Sequence, residues 1–164
     1  YRVFTFDKEQ FPDPKGLNRW LDSKGFSNVW MIDPGVKDED GYFVSDSGDE
    51  HDAWVRDKDG NVYNGEVWPG VCVFPDYLNK DVRNWWAGLY EDFMANEIDG
   101  VWNDMNEPAV FNVETKTMPE TNVHRADPEL GGTDTHDRYH NVYGMQQVTT
   151  APTGRTSICR SRCR

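Results

Sequence analysis

Apolar residues recur every three or four positions in three stretches of the chain, and this spacing predicts three helices. In the first stretch, FPDPKGLNRWLDSKGF, Leu17, Trp20 and Leu21 share one face, and Asp13 can cap the start. The second stretch, DVRNWWAGLYEDFMANEIDG, has Asp81 as a candidate cap. Its predicted buried stripe consists of Val82, Trp85, Trp86, Leu89 and Phe93. The third helix is expected to begin within THDRYHNVYGM.

Two short apolar runs alternate with these helices and predict buried strands. One is NVWMID, residues 28–33, and the other starts GVWNDMNEP at Gly100. Helices that alternate with strands favour a parallel sheet, and long polar segments follow the strands, not the helices. A (β/α)8 barrel builds its active site from such segments and needs about 250 residues. The 164 residues therefore predict an α/β fold that forms part of a TIM barrel, with about three to four βα units.

The polar segments between the predicted elements are expected to be irregular. The acidic segment 37–52 is interpreted as a solvated lid, with calcium binding as the alternative. WVRDKDGNVYNGEVW predicts a hairpin that turns at Asp59-Gly60, because the glycine of DKDG comes too early for an EF-hand loop. Residues 108–133 are expected to be a long loop.

The helical pattern is lost after Met145. We therefore predict a partial catalytic barrel over residues 1–145 and an aberrant, disordered basic tail over residues 146–164. The last fourteen residues contain four arginines and no acid. Cys159 and Cys163 lie in this tail and only Cys72 lies in the body, so the sequence indicates no disulfide framework.

Net charge restricts the classes of partner. The formal charge of −12 argues against nucleic acid and against an anionic membrane surface, since both attract basic patches. No apolar run approaches the roughly 18 residues of a membrane span. We expect neither nucleic acid nor membrane as a partner.

The end of the second strand has the residues that a catalytic site needs. Asp104 follows Trp102 at the C-terminal end of a barrel strand, where polar residues are typically catalytic. The amides of Asn103 and Asn106 are expected to keep this carboxylate ionised by donating hydrogen bonds. Glu107 is not taken as its partner acid, because residues three apart on an extended strand point to opposite faces.

Two histidines four residues apart raise a zinc alternative. His136 and His140 could share a metal on one helix face, but no third ligand is evident. We favour structural roles for both, with His136 at the surface, and predict no metal site.

The segment GVWNDMNEP resembles the signature of glycoside hydrolase family 31, which contains α-glucosidases and α-xylosidases. FTFDKEQFPDP, MIDPGV, GEVWPGVCVFPDY, RNWW and HNVYG are similar to the same family in the same order. The resemblance covers about residues 3–144 and is nearest to plant-type neutral α-glucosidases and heteroglycan glucosidases. It implies that Asp104 is the catalytic nucleophile. The substrate-binding residues that it implies are Asp33, Val36, Trp68 and Met105.

The resemblance also implies a reaction. The expected activity is release of glucose from α-linked oligosaccharides or glucans by a retaining double displacement, with no cofactor. In the family the acid/base is an aspartate on a later strand, which this chain does not contain. The alternative is therefore a catalytically inactive truncated product or a sugar-binding remnant. The compartment stays open, with a leaning toward the cytoplasm from the heteroglycan glucosidases.

Overall fold

The computed structural model describes residues 1–150, in which four helices and seven short strands alternate. The helices are α1 (Pro14–Ser23), α2 (Phe43–Glu50), α3 (Lys80–Met94) and α4 (His136–Val148). The strands are β1 (Val29–Ile32), β2 (Val36–Lys37), β3 (Gly65–Val67), β4 (Gly70–Val73), β5 (Gly100–Asn103), β6 (Val123–Arg125) and β7 (Thr133–Thr135). A 3-10 turn, Pro128–Leu130, separates β6 from β7.

The strands form three small sheets. β1 and β5 pair in parallel, which agrees with the predicted barrel segment. β4 lies between β2 and β3 in an antiparallel sheet, and β6 pairs antiparallel with β7. Within residues 1–150 the strands do not close into a barrel. No helix in this part of the chain is long and apolar enough to cross a bilayer.

Two of the predicted helices begin at side-chain caps. Asp13 accepts a hydrogen bond from the Gly16 amide at 2.8 Å, as predicted for α1. The cap of α3 is Asn79 and not Asp81, because the Asn79 side chain accepts from the Asp81 amide at 2.8 Å. Each cap satisfies an amide that the first helical turn leaves without a partner.

The core lies against α3. Its buried stripe differs from the prediction at one position, since Tyr90 is buried and Leu89 only half-buried. The ring of Phe4 meets Trp86, Tyr90 and Phe93 edge-on, with centroids 4.9, 5.0 and 5.6 Å away. Each fully buried aromatic side chain stabilises the fold by about 1.5–3 kcal/mol relative to exposure.

Several elements differ from the sequence-based expectations. Trp20 was expected on the buried face of α1 and is 56% exposed. The parallel pair is buried on one face only: Ile32 is 1% exposed, whereas Val29 and Trp102 are 62% and 58% exposed. The predicted lid contains α2, whose Val44 is fully buried, because tertiary packing outweighs its acidic composition.

The two segments expected to be a hairpin and a loop also contain other structure. Around Asp59-Gly60 the chain makes a tight turn closed by an isolated bridge between Arg56 and Val62, whereas the regular hairpin is β3–β4. The segment 108–133 contains β6 and the 3-10 turn. Helix α4 continues three residues beyond the predicted boundary at Met145, and the rest of the predicted tail, from residue 151, lies outside the described residues.

Candidate active site

Asp33 and Asp104 lie side by side at the C-terminal end of the parallel pair. Ile32 pairs with Asn103, so Asp33 and Asp104 are the residues that follow a paired position on adjacent strands. The backbones of neighbouring strands lie about 4.8 Å apart along the hydrogen-bonding direction. The Asp104 amide donates to the Ile32 carbonyl at 3.2 Å and extends the pairing to this point. Both side chains therefore leave the same face of the sheet. We call Asp33 and Asp104 the carboxylate pair.

Trp68 lies beside this pair on the turn between β3 and β4. It lines a cavity of about 100 Å³ together with Asp33, and the other lining residues are Tyr1, Arg2, Val3, Met31, Gly35 and Pro69. Trp68 is 54% exposed, and the ring of Tyr1 stacks on it at 6.3 Å. A Cβ on Gly35 would come within 2.5 Å of Val67, so the glycine allows this turn to approach the end of β1.

The structure does not bring every predicted substrate-binding residue to this cavity. Val36 is fully buried in β2, and its neighbour Gly35 lines the cavity instead. Asp104 and Met105 lie at the end of β5 but are not among the lining residues. A larger hollow of about 640 Å³ lies between the N-terminal segment, α2 and α3, and none of the predicted site residues lines it.

The predicted amide donors to Asp104 have other partners. Asn103 accepts a hydrogen bond from the Tyr90 hydroxyl at 2.6 Å, because it points from the opposite face of β5 toward α3. The Asn106 amide donates to Gln147 of α4 at 3.0 Å. Neither side-chain amide donates a hydrogen bond to Asp104 within the described residues, which differs from the expectation.

Helix α4 supports the turn that follows Asp104. In this turn Met105 is left-handed, with φ 57°, and its carbonyl accepts from the Ala109 amide at 3.0 Å. Gly144 packs directly against the turn, since a Cβ there would lie 2.7 Å from the Asn106 carbonyl oxygen. The sequence pattern contained no signal for this contact, because it joins residues nearly forty positions apart.

The charges that act on Asp33 come from two other carboxyl groups. Burial, followed by the charges of Asp104 and Glu107, raises the pKa of Asp33 to about 6. The Asp33 Oδ1 atom is buried and has no hydrogen-bond partner among the described residues. None of the ion pairs formed within residues 1–150 includes Asp33, Asp104 or Glu107.

A second polar cluster lies in the core, and sequence reasoning did not find it. Asp76 accepts from His124 Nδ1 at 2.7 Å, His124 Nε2 lies 2.8 Å from His136 Nδ1, and His136 Nε2 lies 2.9 Å from His140 Nδ1. We call these four residues the histidine chain. His136 was expected at the surface and is fully buried.

The histidine chain is not arranged as a metal site. Its ring nitrogens face one another at hydrogen-bond distance, and no group of three metal-ligating side chains within residues 1–150 is placed around a common point. Burial, followed by the neighbouring His124 and His140, lowers the pKa of His136 to about 3. This imidazole is therefore neutral at physiological pH.

Comparison with known proteins connects this arrangement to one family. Residues 1–160 match the domain described as "Glycosyl hydrolases family 31 TIM-barrel domain". The chain is 49% identical over 145 residues to alpha-glucosidase 2 of Bacillus thermoamyloliquefaciens, which covers 88% of this chain and 18% of that protein. It is 40% identical over 150 residues to the glucosidase 2 alpha subunit of Schizosaccharomyces pombe, covering 90% and 16% respectively.

Solved structures agree with the sequence matches. The DNJ-bound glucosidase II alpha subunit superimposes with a TM-score of 0.81 at 37% identity, covering 92% of this chain and 16% of that one. A family 31 α-glucosidase from Bacteroides thetaiotaomicron gives a TM-score of 0.72 at 44% identity, covering 92% and 23%. This chain thus spans less than a quarter of these relatives, its α/β architecture is part of a TIM barrel, and it belongs to glycoside hydrolase family 31.

Proposed function

We propose that this chain contributes the nucleophile of an α-glucosidase that releases glucose from α-linked oligosaccharides or glucans. The single observation that supports this function best is the position of Asp104, at the C-terminal end of a parallel strand in a family 31 barrel segment. Trp68 and Asp33 line a cavity at the same end of the sheet. An aromatic face suits the C–H face of glucose, and a carboxyl group suits its hydroxyls.

The chemistry assigned to Asp104 is a double displacement. An Asp104 carboxylate oxygen attacks the anomeric carbon, the new C1–O bond forms as the bond to the leaving group breaks, and a glycosyl-enzyme results. Water then attacks C1 and releases the Asp104 carboxylate, so the configuration is retained. Protonation of the leaving group requires a second carboxyl group about 5 Å from the first. Neither Glu107 nor Asp33 is assigned that role.

Covalent labelling tests the nucleophile. A 5-fluoro-α-glucosyl fluoride loses fluoride without help from an acid, so the first step needs only the nucleophile and a sugar site. We expect peptide mass spectrometry to find the label on Asp104 and to find none in Asp104→Asn. The exposed Asp59 provides a matched control, since Asp59→Asn should label like the parent. Label on any other residue contradicts the assignment.

A chimera tests the same role in a longer chain. The 145 aligned residues replace the corresponding segment of the Bacillus alpha-glucosidase 2, to which they are 49% identical. We expect the chimera to hydrolyse a chromogenic α-glucoside and Asp104→Asn to reduce its kcat at least 10³-fold. A folded chimera in which Asp104→Asn retains its activity rejects Asp104 as the nucleophile.

One observation favours the second candidate, a chain that by itself is an inactive or merely sugar-binding segment. The cavity beside Trp68 measures about 100 Å³, whereas ligand pockets usually measure about 300–1,000 Å³. We therefore expect the 164-residue chain to hydrolyse the chromogenic α-glucoside no faster than its own Asp104→Asn variant. Turnover clearly above that variant rejects this second candidate.

A further inference from the structure

Asp33 and Asp104 place two carboxyl groups at the end of the parallel pair, and no ion pair within residues 1–150 includes either of them. We propose that at mildly acidic pH Asp33 is the protonated member of the pair and that its O–H donates a hydrogen bond to a hydroxyl oxygen of the bound sugar. This role deepens the function proposed above and rests on it. It makes Asp33 a positioning acid for the substrate, distinct from the acid/base of the reaction.

The strand register brings the two carboxyl groups together. Asp33 and Asp104 occupy neighbouring positions on parallel strands and leave the same face. Glu107, on the turn that follows, adds a third carboxyl group whose charge acts on Asp33. Like charges this close favour the protonation of one member.

Several titratable or charged groups lie around Asp33 and its neighbour Cys72. They are Tyr1, Arg2, Lys37, Asp38, Cys72, Asp104 and Glu107. The two cations have another partner, since Arg2 and Lys37 both form ion pairs with Glu39. Burial raises the pKa of the Cys72 thiol to about 12, so this group stays neutral and offers no compensating charge.

Exposure to water distinguishes the carboxyl group of Asp33 from that of Glu107. Asp33 Oδ1 is shielded from solvent and has no hydrogen-bond partner in the described part of the chain. Glu107 is exposed, and water can solvate its charge. Desolvation disfavours the charged form of a carboxyl group, and here one oxygen of Asp33 is out of reach of water. Asp33 also lines the cavity with Trp68, so its carboxyl group borders the place proposed for the sugar.

The location of the proton is measured on the 164-residue chain itself. Aspartate labelled with ¹³C at the side-chain carboxyl is titrated by NMR, and the Asp33 signal is identified by its loss in Asp33→Asn. We expect its midpoint near pH 6 and a lower midpoint in Asp104→Asn. Glu107→Gln, at an exposed position, should lower it by less and serves as a second reading if Asp104→Asn does not fold. An ordinary aspartate midpoint, or a midpoint that neither variant moves, overturns the proposal.

The donor role is measured with D-glucose as the probe. At pH 5 we expect Asp33→Asn, which keeps an N–H donor, to bind glucose within about threefold of the parent, and Asp33→Ala to lose tenfold or more. Parent binding should weaken from pH 5 to pH 8, and that of Asp33→Asn should not. Asp40→Asn, at an exposed acid outside the cavity, is the matched control. A tenfold loss in Asp33→Asn overturns the donor role, because a charged acceptor is then required.

Different results reject the nucleophile role of Asp104 and the donor role of Asp33. Absence of label on Asp104 rejects the nucleophile but leaves the proton location to be decided by the titration. Absence of glucose binding by the parent chain overturns the donor role. Label on Asp104 together with an ordinary Asp33 midpoint upholds the nucleophile and rejects the protonated Asp33.

Discussion

The carboxylate pair and the histidine chain are both built from ionisable side chains, but they differ in how these are satisfied. In the histidine chain, Asp76 accepts hydrogen bonds from His124 and from the Arg125 amide, and two further nitrogen pairs extend the contacts to His140. In the carboxylate pair, Asp33 retains a buried oxygen without a partner. The first cluster lies in the core and the second at the open end of the parallel sheet.

We interpret this difference as one between a structural cluster and the site proposed for the sugar. Buried polar groups are normally paired, so a fully connected cluster is what a stable core requires. A buried oxygen left without a partner beside a cavity costs stability, and such a cost is expected where a ligand completes the contacts. The two clusters should therefore respond in opposite ways to substitution and to pH.

The largest expected effect comes from breaking the histidine chain at its charged end. Asp76→Ala leaves His124 and the Arg125 amide without their acceptor in the core, and we expect a loss of about 3–5 kcal/mol in the free energy of unfolding, measured with urea. Asp59→Ala removes an exposed acid whose ion-pair partner among residues 1–150 is the adjacent Lys58, and should cost less than about 0.5 kcal/mol. Equal losses in the two variants would contradict the structural role.

Acid should act on the histidine chain next. His136 has a lowered pKa of about 3 in the folded state, so between about pH 6.5 and 3 the unfolded chain binds the proton more readily. Neutral His136 contributes to the free energy of unfolding above pH 6.5, and this contribution is lost as the pH falls. The total loss should be a few kcal/mol. We measure the free energy of unfolding of the parent and of His136→Gln with urea at several pH values. The difference between the two should become smaller as the pH falls. His51→Gln, at an exposed position, is the control.

Two glycines test the contact between α4 and the turn after Asp104. Gly144→Ala places a Cβ 2.7 Å from the Asn106 carbonyl oxygen, and we expect a loss of about 1–3 kcal/mol in thermal unfolding, with slower labelling of Asp104. Gly88 lies within α3 with nothing near its missing Cβ. Gly88→Ala should instead stabilise by about 0.5–1 kcal/mol. A stabilising Gly144→Ala would show that the turn is not packed on the helix.

The smallest effect is a gain of stability at the carboxylate pair. Since the folded pKa of Asp33 is raised from 3.8 to about 6, the folded chain binds the proton more readily in that window and stability falls as the pH rises through it. Asp33→Asn removes the loss of stability that ionisation of Asp33 causes. Because Asp33 is partly exposed, the resulting gain in the free energy of unfolding should be on the order of 1 kcal/mol at pH 8 and near zero at pH 4. A loss of stability at pH 8 would show that the Asp33 charge is satisfied.

Local sequence pattern predicted those features that depend on neighbouring residues. The cap at Asp13, the stripe of α3 and the two short strands follow from periodicity and end signals over a few positions. The helix α2 was missed because its acidic composition outweighed its few apolar positions. The exposure of Trp20 was missed because periodicity identifies an apolar face but not whether another element covers it.

The sequence by itself determined the family, the strand that ends at Asp104 and the alternation that makes the sheet parallel, because each is written in contiguous residues. Only the tertiary structure decided which polar groups have partners. The register places Asp33 beside Asp104, Gly144 meets Asn106, and His136 lies buried between two imidazoles, all through contacts between segments distant in sequence. The pKa of a carboxyl or imidazole group depends on burial and on nearby charges, and neither is set until the chain has folded.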